Sequence, residues 1–368
     1  MKKNRIEILD SFRFLAIVSV ILYHYTYRWT IPPGDRNLYP YHNFYGNLFK
    51  YGNYGVHFFF IISGFVISYT LGNTNQFFSF WKNRFIRLFP PMLLWSVITY
   101  LVCIALDTDH LFPNSHQIKN FLPGLTFILP EIWTRILHIR FDWLNGSYWS
   151  LWVEVQFYFI SSVLYYLNKD KFFRNILLLT VLLTVANYIT LHFSGDNSGN
   201  HLAESSSFFP GWTAINGHLN ISYFICYFTT GVIFHHLYKR VTIPLKSLTS
   251  VCAMYIFSYQ LYAGGTLAAG VLYLSMIALF AIMIYRRNYL SFLDLPLFRR
   301  IGVISYSIYL AHENTGVLLI NKYGGYLGKW SPLSVLLVLI LIVILAELSY
   351  RFLEQKTAIL LKMLLKTI

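Results

Sequence analysis

Residues 8–27 read ILDSFRFLAIVSVILYHYTY, an apolar stretch with Arg13 near one end and His24 near the other. An uninterrupted helix of this length reaches across the hydrocarbon of a bilayer. Arg13 and His24 are eleven residues apart. At 3.6 residues per turn that is about three turns, so the two side chains leave nearly the same face, separated by roughly 16 Å along the axis. Ionisable groups are costly in lipid and normally face protein or a water-filled cavity, which makes the pair a functional candidate. The alternative is plainer: Arg13 snorkels to the headgroups, and His24 donates to a neighbouring carbonyl at the interface.

Composition decides how that stretch is read. The chain has 368 residues, 56% hydrophobic, 19% aromatic and only 12% charged, with a mean hydropathy of +0.50. This is the profile of a polytopic all-α membrane protein and excludes an ordinary soluble domain. Twenty-nine Lys and Arg against fifteen Asp and Glu leave a formal charge of +14. In a soluble protein that excess would suggest nucleic acid. Here the basic residues fall between apolar segments, where they set topology and meet anionic lipid or an anionic cofactor, so no nucleic-acid partner is expected. Cys103, Cys226 and Cys252 lie inside apolar runs at no metal-like spacing and read as packing residues, with no metal site. The first apolar segment is too long for a removed signal peptide and has no small-residue cleavage site, so it is expected to stay as the first span.

Further apolar runs mark spans near 55–72, 88–106, 149–168, 174–193, 219–238, 247–262, 266–285, 302–321 and 332–353, giving about ten transmembrane helices. Residues 118–137 are apolar but carry Pro123 and Pro130, and are expected to form a re-entrant or interfacial element. With the N-terminus inside, twenty of the Lys and Arg residues fall on cytoplasmic segments and eight on outer ones. That asymmetry predicts both termini in the cytoplasm. The expected organisation is one transmembrane domain over 1–356 and a short basic cytoplasmic tail over 357–368, with no appended soluble domain.

Several polar groups sit within this frame. The span opening with Trp149, Ser150 and Trp152 enters from the outside and places Glu154 one to two turns deep, about level with His24. A carboxylate near an imidazole would fix its tautomer and stabilise its protonated form, as a general base needs; the packing alternative is a Glu hydrogen-bonded to another helix. Arg84 and Arg87 are three residues apart on the cytoplasmic side with Arg13. Guanidinium forks suit phosphate, although the positive-inside bias alone places arginines there. Ser63 and Gly64 lie mid-span, where small residues allow close helix approach or a narrow channel, and His57 lies nearer the outer end. His312 and Glu313, in the run Ser305-Tyr306-Ser307-Ile308-Tyr309-Leu310-Ala311-His312-Glu313, are either a buried hydrogen-bonded pair or part of the site. Ser194 to Gly199 reads as a polar outer loop. The outer stretches Tyr39–Asn53 and His201–Asn220 have the aromatic and amide character of sugar sites, which interfacial aromatic belts share.

Six blocks in order along nearly the whole chain carry a resemblance: Arg13 with ten residues before His24; Gly55 to Phe65; Arg84-x-x-Arg87-x-x-Pro90; Trp149-Ser150-Leu151-x-x-Glu154-x-x-x-Tyr158; Ser305 to His312; and Tyr350-Arg351-Phe352-Leu353-Glu354. In these the chain resembles acyltransferase family 3, integral membrane O-acyltransferases of cell-surface glycans. It departs from the pattern at His57, where relatives often carry an acidic or small residue, and after Glu354, where a proline commonly follows. Many relatives append an extracytoplasmic hydrolase-like domain, and its absence here implies transfer at the membrane site or completion by a separate partner.

The resemblance implies an acyl-coenzyme A donor, acetyl-CoA as the commonest, from the cytoplasm, and a hydroxyl acceptor on an extracytoplasmic or lipid-linked polysaccharide such as O-antigen or exopolysaccharide. Localisation would be the bacterial inner membrane, with lipid and glycan as partners. On that expectation the coenzyme phosphates rest against Arg13, Arg84 and Arg87, while the pantetheine arm runs toward His24 along a distance of about 16 Å. His24, oriented by Glu154, deprotonates the acceptor. Trp149, Ser150, Ser63, Tyr306 and His312 are candidates for supporting substrate or transition state, with the oxyanion donor open among Trp149, Ser150 and Tyr306. Two other classes stay open: a transporter exporting an acylated or anionic metabolite, for which no inverted repeat is visible, and a glycan-assembly protein that only binds.

Overall fold

A computed structural model describes residues 6–29, 37–42, 44–193, 220–239 and 267–365; the regular secondary structure among them is all helical, with no strand. The helices are α1 (Ile8–Thr26), α2 (Tyr54–Gly72), α3 (Phe77–Leu106), α4 (Phe121–Thr126), α5 (Pro130–Leu137), α6 (Trp149–Leu167), α7 (Phe172–Phe193), α8 (Ile221–Tyr238), α9 (Leu267–Tyr285), α10 (Pro296–Val303), α11 (Ser305–Ala311), α12 (Val317–Tyr323), α13 (Ser334–Ser349) and α14 (Gln355–Leu364). Between α11 and α12, His312–Gly316 form a π turn, and a second π turn over Tyr350–Glu354 joins α13 to α14.

Among the described residues, five helical segments are long and apolar enough to cross a membrane: α1, α2, α3, α9 and the run Ser305–Leu364. The segments expected at 149–168, 174–193 and 219–238 are helices α6, α7 and α8. The span expected at 247–262 and the outer loops at 194–199 and 201–219 lie outside the described residues. Leu336, Leu337, Ile340, Leu341, Ile344 and Leu348 line one exposed face of α13, the surface of a helix that meets lipid tails.

One local outcome differs from a simple reading of the sequence. α3 starts at Phe77, not near residue 88, and runs through Pro90 and Pro91, so Arg84 and Arg87 are helical residues rather than loop residues. Membrane helices tolerate proline when neighbours satisfy the freed backbone groups. The stretch 118–137 is broken as its prolines suggest: α4 ends where Phe127 turns left-handed (φ 55°), and Pro130 opens α5, where a missing N–H costs nothing. In the stretch of the expected basic tail, α14 continues as a helix from Gln355 to Leu364.

The chain forms two compact units. One comprises Met1–Val56, Trp81–Trp152 and Phe292–Ile368, the other His57–Phe80 and Val153–Ser291. In the second, α2 and α8 meet at glycines: a Cβ on Gly64 would overlap the Phe228 carbonyl, and one on Gly231 the Ile61 carbonyl. The close approach expected of Ser63-Gly64 is thus realised against α8. Phe157 stacks on Phe228 at 4.2 Å, and Thr180 and Thr229 exchange a 2.6 Å hydrogen bond between α7 and α8. In the first unit α1 is the central element, packed against α10 and the π turn.

Candidate active site

His24 lies near the C-terminal end of α1, where a helix leaves carbonyls without partners. Tyrosines of the following segment cap them. The Tyr39 hydroxyl donates to the His24 carbonyl at 2.5 Å, and the Tyr41 hydroxyl donates to the Tyr25 carbonyl. The Tyr39 and Tyr41 rings stack, centroids 5.3 Å apart. Burial pushes both phenols above the usual tyrosine range, so these hydroxyls stay protonated donors. The backbone that presents His24 is therefore held from outside the helix.

Its side chain meets the π turn of His312–Gly316. His312 is fully buried, Glu313 is 5% exposed, and the His24 side chain keeps 13% of its surface. His312 Nε2 lies 3.2 Å from His24 Nδ1, and Glu313 Oε1 lies 3.5 Å from His24 Nε2. Inserting one residue into a helical turn is a feature often found at functional sites. Here it lets two consecutive residues face one imidazole. The turn is pinned by Tyr25, whose hydroxyl donates to the His312 carbonyl at 2.9 Å, and by Asn314 Nδ2, which donates to Ser115 Oγ at 2.7 Å.

Carbonyl oxygens only accept, and that fixes tautomers. His24 Nδ1 is 3.0 Å from the Val20 carbonyl and His312 Nδ1 is 2.6 Å from the Tyr309 carbonyl, so each Nδ1 carries a hydrogen. His312 Nε2 then accepts from His24 Nδ1, and His24 Nε2 is the nitrogen turned to Glu313.

The other expected residues fall as follows. Arg13 donates to the buried Asp10 at 2.7 Å, so one arm of its guanidinium is already engaged. Arg84 is buried and Arg87 exposed on the same unit as Arg13. Glu154 accepts from Ser63 Oγ at 2.6 Å and from the Tyr158 hydroxyl at 2.5 Å, three residues of the second unit. The carboxylate seen beside His24 is Glu313, which the sequence reading left open between packing and function. Ser150 Oγ is 2.8 Å from the Tyr309 hydroxyl and 3.3 Å from the Ser147 carbonyl, while Tyr309 itself donates to that carbonyl at 2.9 Å. Both hydroxyl hydrogens are thereby engaged within the cluster. The Tyr306 hydroxyl is directed to the Leu88 carbonyl at 3.3 Å, and Trp149 is half-buried at the start of α6. The two last sequence blocks touch: Glu354, buried in its π turn, accepts from Ser307 at 2.7 Å and from Ser349. Among the described residues no group of His, Cys, Asp and Glu is arranged to hold a metal ion.

What sequence reasoning missed is the Glu313 contact and the tyrosine caps. A Tyr-Pro-Tyr run at 39–41 is visible, but nothing in it points to carbonyls fifteen and sixteen residues upstream.

Comparison with known proteins adds to this geometry. A family model described as "Acyltransferase domain", acyltransferase family 3, matches residues 6–351. The chain is 25% identical over 378 aligned residues to "O-acetyltransferase OatA" of Staphylococcus aureus, covering 94% of this chain and 56% of that protein. It is 26% identical to "Peptidoglycan O-acetyltransferase OatA" of Listeria monocytogenes, with 94% and 54% covered. A "Putative peptidoglycan O-acetyltransferase YrhL" of Bacillus subtilis is 24% identical, again with 94% and 54% covered. The chain spans just over half the length of these curated relatives. No solved structure matches it significantly.

Proposed function

The chain belongs to acyltransferase family 3, and on that premise we propose that it is a multi-pass O-acetyltransferase of a bacterial plasma membrane, moving an acetyl group from cytoplasmic acetyl-CoA to a hydroxyl of a cell-envelope glycan. The observation that carries this reading is His24: a partly accessible imidazole, fixed in tautomer and in contact with a buried carboxylate, on the helix that also bears Arg13. Transport or binding has no need of an acid–base pair held in this way. Acyl transfer does.

In the proposed reaction the acceptor oxygen attacks the thioester carbonyl, the C–O bond forms and the C–S bond breaks. The hydroxyl proton goes to the buried pair at His24 and is returned to the departing thiolate, giving free coenzyme A. Arg13, Arg84 and Arg87 take the coenzyme phosphates. Acetyl is supported by the names of the relatives, two of which also specify peptidoglycan. A lipid-linked or surface polysaccharide such as O-antigen or exopolysaccharide presents the same chemistry.

Mass spectrometry of the peptidoglycan and polysaccharide fractions from cells with the gene intact, deleted, and complemented with His24→Ala tests the reading. The expected result is a mass increment of one acetyl group in one fraction, absent from both the deletion and the variant. No difference between intact and deleted cells would overturn it in favour of the exporter.

A further inference from the structure

The contacts of His24 leave a proton to be placed. With Nδ1 carrying a hydrogen, a neutral His24 presents the Nε2 lone pair to Glu313 Oε1 at 3.5 Å. An ionised carboxylate there presents lone pairs as well. Two acceptors facing each other in a buried site are unfavourable unless one holds a proton. The resting pair therefore carries one proton between His24 Nε2 and Glu313 Oε1.

Once it does, both nitrogens of His24 are committed: Nδ1 to Val20 and His312, Nε2 to Glu313. The remaining basic atom is Glu313 Oε2. It is buried and has no hydrogen-bond partner of ordinary geometry among the described residues. The backbone N–H of Ser147 faces this carboxylate but is directed to Asn145 Oδ1 at 3.0 Å. The neighbouring wall is Gly146, where even a Cβ would come within 3.2 Å of both carboxylate oxygens. A bare backbone thus lies beside a buried carboxylate oxygen without a partner of ordinary geometry among the described residues, and such atoms call for an explanation.

We propose that Glu313 is a catalytic residue: its Oε2 takes the proton of the acceptor hydroxyl while its Oε1 shares a proton with His24 Nε2. This rests on the reading of the chain as an O-acyltransferase and reverses the expected roles within it. His24 holds the carboxylate in place and offsets its charge, and His312 is a positioning residue that keeps the hydrogen on His24 Nδ1. As the hydroxyl oxygen bonds to the thioester carbon, its proton passes to Oε2. As the C–S bond breaks, that proton passes to the thiolate sulfur, and the pair returns to its one-proton state.

The test uses membranes containing the full chain, supplied with radiolabelled acetyl-CoA, and follows the initial rate of label incorporation into the native glycan. A parallel titration of the detergent-solubilised chain gives the acetyl-CoA dissociation constant. Glu313→Gln keeps the shape of the side chain but cannot take a proton at that atom. It is expected to lower the rate at least about 100-fold, the range of general acid–base catalysis, with the dissociation constant changed less than about threefold. Glu313→Asp, which keeps a carboxylate, is expected to recover at least about tenfold over Gln. A Gln variant within about threefold of the parent rate overturns the proposal, as does an Asp variant no better than Gln or a loss of donor binding matching the loss of rate. His24→Ala separates this from the underlying reading: full incorporation in that variant removes the acyltransfer role of the site itself, whereas loss in His24→Ala with normal Glu313→Gln removes only the role of Glu313.

Discussion

Tyr25 donates its hydroxyl hydrogen to the carbonyl of His312 over 2.9 Å, from the position next to His24 on α1. Consecutive residues of one helix thus address one residue of the π turn, His24 its imidazole and Tyr25, through its hydroxyl, its backbone carbonyl. The contact fixes rotation and height of α1 against the turn together. Room for the tyrosine ring comes from Gly316, the last residue of that turn.

Gly316→Ala is expected to break this fit. Its Cβ would overlap the Tyr25 hydroxyl, and the tyrosine is fully buried, so the ring cannot swing into solvent. Overpacking of this kind costs about 1–3 kcal/mol. Thermal unfolding of the solubilised chain should show the lower midpoint, and labelled-acetyl incorporation should fall with it. An unchanged midpoint would mean that α1 and the turn are not held at this point.

Tyr25→Phe probes the same contact without adding volume. The His312 carbonyl loses its hydroxyl donor in a buried place, at about 1–3 kcal/mol. Because the phenyl ring still fills its space, the loss should be smaller than that of Gly316→Ala. Equal stability of Tyr25→Phe and the parent would show that the carbonyl finds another donor.

The helical content and His24 were legible in the sequence for definite reasons. Apolar runs of span length are read from composition alone, and the eleven-residue interval from Arg13 to His24 is local, governed by the helical period. Glu313 was not legible as its partner. The two are 289 positions apart, and in a regular α-helix His312 and Glu313 would diverge around the axis. The π turn that brings both to one imidazole is a backbone irregularity with no propensity signature. For Ser150 the place at the start of α6 was foreseeable, but its hydrogen bonds were not, because they depend on Tyr309 and Ser147 lying within reach.

Arginine replacements should divide by burial. Arg13 is paired with Asp10, itself 2% exposed, so Arg13→Gln strips a nearly buried carboxylate of its cation and should cost about 3 kcal/mol of stability as well as donor affinity. Arg87 is exposed, and Arg87→Gln should leave the unfolding midpoint within about 0.5 kcal/mol of the parent. If the coenzyme phosphates use Arg87, that variant weakens acetyl-CoA binding several-fold at undiminished turnover under saturating donor. Unaltered acetyl-CoA affinity would remove Arg87 from the donor site.

Glu154 offers the sharpest separation of charge from structure. Its Oε1 receives hydrogens from Ser63 and Tyr158 at 2.6 and 2.5 Å, both within the second unit. In Glu154→Gln the amide oxygen can still accept from both, so stability should stay within about 1 kcal/mol of the parent. Glu154→Ala leaves two hydroxyls without that acceptor and should be clearly less stable. If the carboxylate serves only to hold α2 to α6, the Gln variant incorporates label at the parental rate while the Ala variant does not. If its charge takes part in the transfer, both variants lose rate and only Ala loses stability, so the Gln variant alone decides whether the reaction needs a second carboxylate beside Glu313.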